Sequence, residues 1–106
     1  MPSNYAKGRT LEHAVRDRLR AEGYTVFRCA GSRPVDLVAI REGKILLVEC
    51  KAEKHPSLTP KQLKHILEIS EKVHGSVVLA VRRKHRGVRW YRATKRGVEE
   101  FRSPAS

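Results

Sequence analysis

Apolar positions at helical spacing open the chain. Leu11, Ala14, Val15 and Leu19 fall on one side of a helix and Gly23 follows as a stop, which predicts a helix from Thr10 to Glu22. Glu12 sits at the margin of that apolar stripe. The period then shortens. Tyr24–Ala30 and Asp36–Ile40 read as strands around a Gly31–Pro34 loop, and Ile45–Lys51 reads as a third strand after a tight turn at Glu42 and Gly43. The unbroken apolar run from Ile45 to Val48 suits a central strand covered on both faces.

A second helix follows a connection over Lys54–Leu58. Thr59 offers an N-cap and Pro60 suits the first helical position; Leu63, Ile66, Leu67 and Val73 line one side, and Gly75 marks the end. Val77–Val81 predicts a buried strand, the Lys84–Gly87 cluster a turn, and Val88–Ala93 a strand that pairs back. Thr94–Phe101 is expected to form a short terminal helix, followed by a polar tail over 103–106. The expected architecture is α/β, a mixed central sheet flanked by helices, in one domain with its core over about residues 7–102.

Strand geometry brings chemistry into this pattern. A two-residue hairpin loop at Glu42 and Gly43 pairs Arg41 with Lys44, and that register sets Asp36 opposite Glu49. Lys51, two residues on, projects from the same face as both acids. Facing carboxylates repel, and a divalent cation resolves the conflict. Oxygen donors suit Mg²⁺, with Mn²⁺ expected to substitute, rather than zinc. Such a metal would serve phosphodiester hydrolysis, with Lys51 orienting the nucleophile or stabilising the transition state. The plainer alternative is a surface hairpin carrying a solvated Glu-Lys pair.

Charge narrows the partner. The chain has 106 residues with 23 Lys plus Arg against 11 Asp plus Glu, a formal net charge of +12, which favours a polyanion and above all nucleic acid. No segment combines a basic face with a large apolar one, and no apolar run is long enough to span a bilayer, so neither membrane binding nor export is expected and the cytosol is the expected location. Cys29 and Cys50 are isolated and read as buried free thiols, and the five histidines show no ligand spacing.

Asp36, followed thirteen residues later by Glu49-Cys50-Lys51, resembles the PD-(D/E)xK nuclease motif. Gly8 and Glu12, Gly23-Tyr24, Arg28, Gly31-Ser32 and the Asp-Leu-Val-Ala-Ile run extend the likeness to the archaeal-type Holliday junction resolvases of the Hjc family, over about Lys7–Gly75. Val35 stands where the motif has proline, and the loop before Asp36 is short.

The resemblance implies a restriction-endonuclease-like fold and a homodimeric, Mg²⁺-dependent endonuclease that cuts four-way DNA junctions by paired nicks, with no small-molecule cofactor. It implies Asp36 and Glu49 as metal ligands, with Glu12 and the backbone carbonyl of Cys50 as further candidates. Glu12, Ser32, Asp36, Glu49 and Lys51 form its catalytic set. Arg28, Ser32 and Gln62 are its candidate DNA contacts; Arg9 and Arg33 are counted with them, and the basic run between Arg82 and Arg102 adds Arg83, Lys84 and Arg86. Two other readings stand beside this one: a nuclease of the same superfamily acting on flaps, ends or duplex, and a non-catalytic basic DNA-binding protein. Trp90, Tyr91, Val98 and Phe101 are expected either to centre a dimer interface or to complete the monomer core.

Overall fold

A computed structural model describes residues 4–52, 58–83 and 87–104, with the backbone alone for 4–9 and 32. The elements run α1 (Asn4–Ala21), β1 (Thr25–Arg28), a short 3-10 turn (Ala30–Ser32), β2 (Leu37–Arg41), β3 (Lys44–Lys51), α2 (Pro60–Val73), β4 (Ser76–Arg82), β5 (Val88–Thr94) and β6 (Gly97–Phe101). The strands form one sheet in chain order, parallel between β3 and β4 and antiparallel elsewhere. The single parallel step is the one bridged by α2, the crossover a parallel pair requires.

Side-chain alternation gives the sheet two apolar faces. On one, Leu11, Val15 and Leu19 of α1 pack with Leu37, Ala39, Leu46, Val48, Val78, Ala80 and Trp90. On the other, Ile66, Leu63 and Leu67 of α2 pack with Val35, Leu47, Val77 and Ala93. β3 contributes to both clusters, as the Ile45–Val48 run requires. No helix among the described residues is long and apolar enough to cross a membrane.

Local chemistry explains most boundaries. Glu42 and Gly43 both take positive φ, 48° and 78°, the conformation of a two-residue hairpin turn matched to strand twist. α2 starts with a capping box: Gln62 N–H donates to Thr59 Oγ1 at 3.1 Å, and Thr59 N–H donates to Gln62 Oε1 at 3.1 Å. At the other end the left-handed residue is His74, φ 55°, rather than Gly75. Gly75 answers a different need, because a Cβ there would lie 2.9 Å from the Ile45 carbonyl oxygen.

The structure departs from the sequence reading at four places. α1 begins at Asn4, not Thr10, because its first turns carry no apolar stripe to signal them. The expected helix over Thr94–Phe101 is instead strand β6, paired with β5 from Thr94↔Gly97 to Trp90↔Phe101. Gly97, at φ 130°, turns the chain out of a helical path. The new strand carries cross-strand partners: Arg89 pairs with Glu100 at 3.7 Å, and the Arg92 guanidinium lies 4.9 Å from the Phe101 ring centroid.

Val73 is 39% exposed at the overhanging end of α2, while Ser70 takes the buried position and donates to the Leu67 carbonyl at 2.8 Å. The expected polar tail is also docked in part. Tyr24 Oη donates to the Pro104 carbonyl at 2.9 Å, Ser103 Oγ donates to Glu22 at 2.6 Å, and Pro104 is buried. Trp90 belongs to the α1-side core and Val98 is 45% exposed, so the four residues weighed as one interface are divided.

Candidate active site

The β2–β3 register places the acids. Leu37 pairs with Val48 and Arg41 with Lys44, so Asp36, one residue before β2, stands across from Glu49. Asp36 Oδ2 accepts the backbone N–H of Cys50 at 2.8 Å, and the Asp36 carbonyl accepts the N–H of Cys29 at 3.0 Å. Those two bonds hold the carboxylate against the end of β3. The preceding Val35 is fully buried under α2, which explains why an apolar residue serves there without being proline.

Asp36 is 8% exposed and Glu49 half-buried. Loss of hydration and the neighbouring Asp36 carboxylate push the Glu49 carboxyl up to about 7, against the pull of the Lys51 ammonium. Glu12 reaches the same acid from α1. Burial and Asp36 raise its carboxyl too, while Arg28, whose Nε lies 3.3 Å from Glu12 Oε2, opposes the rise. Arg28 is therefore engaged with Glu12 in this arrangement. Burial also raises both half-buried free thiols, Cys29 and Cys50.

A pocket of about 310 Å³ opens at this point, lined by Pro34, Asp36, Glu49, Cys50, Lys51, Leu58, Gln62, His65 and Ile66. Two larger concavities lie between α2 and the β5–β6 turn and contain none of these acids. Chemistry, not size, selects the smaller one. Gln62 contributes to its wall while its Oε1 is held by the helix cap.

His65, one of the five histidines without ligand spacing, is exposed on α2 and also lines the pocket. The signal for it was its position one turn after Gln62, on the same side of α2. Arg33 and Arg83 are exposed, and Arg83 N–H closes the β4–β5 connection on the Gly87 carbonyl at 2.9 Å. Lys84, Arg86 and the side chains of Arg9 and Ser32 lie outside the described residues.

Among the described residues, no three His, Cys, Asp or Glu side chains converge to hold a metal unaided. Zinc would need such a set. Mg²⁺ keeps several waters and is commonly bound by one or two carboxylates together with substrate phosphate, so the Asp36–Glu49 pair fits it. The raised Glu49 carboxyl reflects burial first and the facing Asp36 charge second, both of which a bound cation would offset.

Two acids and a lysine at one end of a mixed sheet, with α1 and α2 on its opposite faces, define a restriction-endonuclease-like chain of the PD-(D/E)xK type. Residues 3–106 match the family described as archaeal Holliday junction resolvase (hjc), and the chain belongs to that family. It is 33% identical over 84 residues to the crossover junction endodeoxyribonuclease Hjc of Methanocaldococcus jannaschii, covering 77% of this chain and 63% of the relative. It is 32% identical over 89 residues to the protein of the same name from Sulfolobus acidocaldarius, covering 76% and 62%. The chain thus spans a little under two thirds of the length of these relatives. The solved structure of Archaeoglobus fulgidus Hjc, a Holliday junction resolvase, shares the fold with a TM-score of 0.70 at 18% identity, over 93% of this chain and 86% of that one.

Proposed function

We propose that this chain is a divalent-metal-dependent endonuclease that resolves four-way DNA junctions by paired nicks. The observation that carries the reading is the Asp36–Glu49 pair, held across β2 and β3 with Lys51 on the same face of the pocket. The names of the relatives, crossover junction endodeoxyribonucleases, supply the substrate. The paired acids favour this reading over a non-catalytic DNA-binding protein, since carboxylates on a phosphate-facing surface oppose binding unless a cation intervenes.

In this reading Asp36 and Glu49 hold the metal. Cys50 directs its N–H to Asp36, and since N–H and C=O of one strand residue project to the same flank, its carbonyl is a third donor candidate. When bound, Mg²⁺ supplies charge neutralisation at the scissile phosphate and a more acidic water. Lys51 would orient the attacking water or donate to a phosphoryl oxygen as charge develops, and its ammonium also favours ionised Glu49. Glu12 and Arg28, linked to Asp36 from α1 and β1, hold its carboxylate in position and offer a guanidinium beside the cleavage point. Gln62 and His65 wall the opposite side.

The active unit in this reading is a dimer, because a four-way junction presents two equivalent strands and twofold-related sites match them. The deciding experiment incubates the protein with four-way junction, flap, duplex and single-stranded DNA, each with Mg²⁺ or with EDTA. Paired symmetric nicks on the junction alone, dependent on Mg²⁺, are expected. Preferential cutting of flaps or duplex would replace the substrate, and absence of cutting on every substrate would remove the nuclease reading. Light scattering is expected to give twice the chain mass.

A further inference from the structure

The strand register carries the active-site row across the sheet to a second cluster of charge. Lys51 pairs with Val81, and Val81 pairs with Arg89, so these three share one row over β3, β4 and β5. Trp90 pairs with Phe101, and the next step of that register sets Arg102 across from Arg89. Arg83, Arg89 and Arg102 surround a pocket of about 430 Å³ with Trp90, Phe101 and Glu100 in its lining.

Three arginines and one acid, Glu100, line this pocket. The Arg89–Glu100 contact, at 3.7 Å, is too long for a hydrogen bond, and Arg89 Nε is buried without a hydrogen-bond partner among the described residues. A buried donor left unpaired calls for an acceptor. Forked donors gathered at one pocket suit a phosphate ester.

We propose that this pocket grips a backbone phosphate of the same DNA strand or arm that is cut at Asp36, Glu49 and Lys51. The inference rests on the DNA-cleaving reading and adds a fixed anchor to it. Strands lie about 4.8 Å apart, so the row from Lys51 reaches Arg89 in roughly 10 Å and Arg102 in roughly 15 Å. Each strand of duplex offers a phosphate about every 3.4 Å of axis while winding around it, so a straight reach of about 10–15 Å puts the anchor about two steps from the scissile phosphate. The spacing between pocket and acids then sets where along the arm the cut falls.

The test replaces single phosphates of a four-way junction with neutral methylphosphonates, position by position, and measures binding in EDTA. Wild-type protein should lose about fivefold to tenfold in affinity at one position about two steps from the cut. Arg102→Ala should be indifferent to that position alone, and Arg83→Ala should repeat the effect if Arg102→Ala is poorly folded. Trp90, the chain's one tryptophan, reports occupancy directly, so its emission should shift with junction DNA and fail to shift with inorganic phosphate at constant ionic strength. A wild type that binds the junction while no position couples to either arginine overturns the anchor and leaves the nuclease reading intact. An equal response of Trp90 to inorganic phosphate would assign the pocket to a free anion instead, and failure to bind any junction would overturn both readings.

Discussion

Asp36 and Glu49 are brought together by strand register, whereas Arg83, Arg89 and Arg102 are gathered from one strand and from the residues just past two strand ends. The acids depend on one hairpin register and on the 2.8 Å bond from the Cys50 N–H to Asp36. The arginines share their pocket with Trp90 and Phe101, and two of the three lie outside the strands. The first region therefore behaves as a unit in which each group depends on the others, whereas the arginine pocket sits within a wider basic surface whose charges contact separate phosphates and add their own shares.

Catalysis gives the sharpest contrast. Asp36→Asn, Glu49→Gln and Lys51→Ala should each lower single-turnover cleavage by at least about 10²–10³-fold, the range for losing one group that stabilises a transition state. The double variant D36N/E49Q should be scarcely worse than either single one. Junction binding in EDTA should hold or tighten for the acid variants, since negative charge near phosphate is removed. Near-wild-type cleavage by both single variants would dismiss this site.

Acid repulsion should also be visible in stability. The Glu49 carboxyl stands at about 7 when folded, above its ordinary value near 4.5, so the stability linked to it is fully present below about 4.5 and is lost as pH rises through 7. In chelator, the unfolding free energy from denaturant titration should fall from pH 5 to pH 8 by about 1–2 kcal/mol, a figure already reduced for partial solvent screening. Glu49→Gln should flatten the curve, and Mg²⁺ should restore stability at pH 8. A midpoint in chelator that rises between pH 5 and pH 8, and does so equally in E49Q, would show that the pair is not strained.

The same contrast governed what the sequence revealed. The acid pair was legible because a two-residue turn at Glu42 and Gly43 fixes register, and register fixes which residues face each other. The Thr59–Pro60 start of α2 was legible for a similarly local reason. β6 was not, since Thr94–Phe101 contains good helix formers and its strand state depends on pairing with β5, a tertiary choice. The arginine pocket was hidden for the same reason: Arg89 and Arg102 become neighbours only once β6 exists. Ser70 in place of Val73 on the buried side of α2 depends on where that helix overruns the sheet, which no periodicity reports.

Thr59 tests whether the helix wall belongs to the acid unit. Thr59→Ala removes the acceptor for Gln62 N–H and should cost about 1 kcal/mol in stability. Because Gln62 and His65 stand on the first turns of α2, cleavage should fall as well, by less than tenfold, with a normal dependence on Mg²⁺. Stability lost without any change in cleavage would separate the wall from the chemistry.

The smallest effects should come from single charges on the basic side, where additivity is the claim. Arg82, Arg83 and Arg96 are exposed, and a phosphate contact made by any of them releases about one counterion from DNA. Changing one to Gln should weaken junction binding a few-fold, lower the log–log salt slope by at most about one, and leave single-turnover cleavage at saturating enzyme unaffected. Combining substitutions should add in log Kd, in contrast to the non-additive acid pair, because exposed charges that contact different phosphates share no partner. The measurement is a salt titration of junction affinity for each single variant and for their combination. Strong non-additivity there would mean that these arginines share one ordered contact and would extend the coupled region beyond the acids; unchanged slopes for all three would take the DNA path away from them.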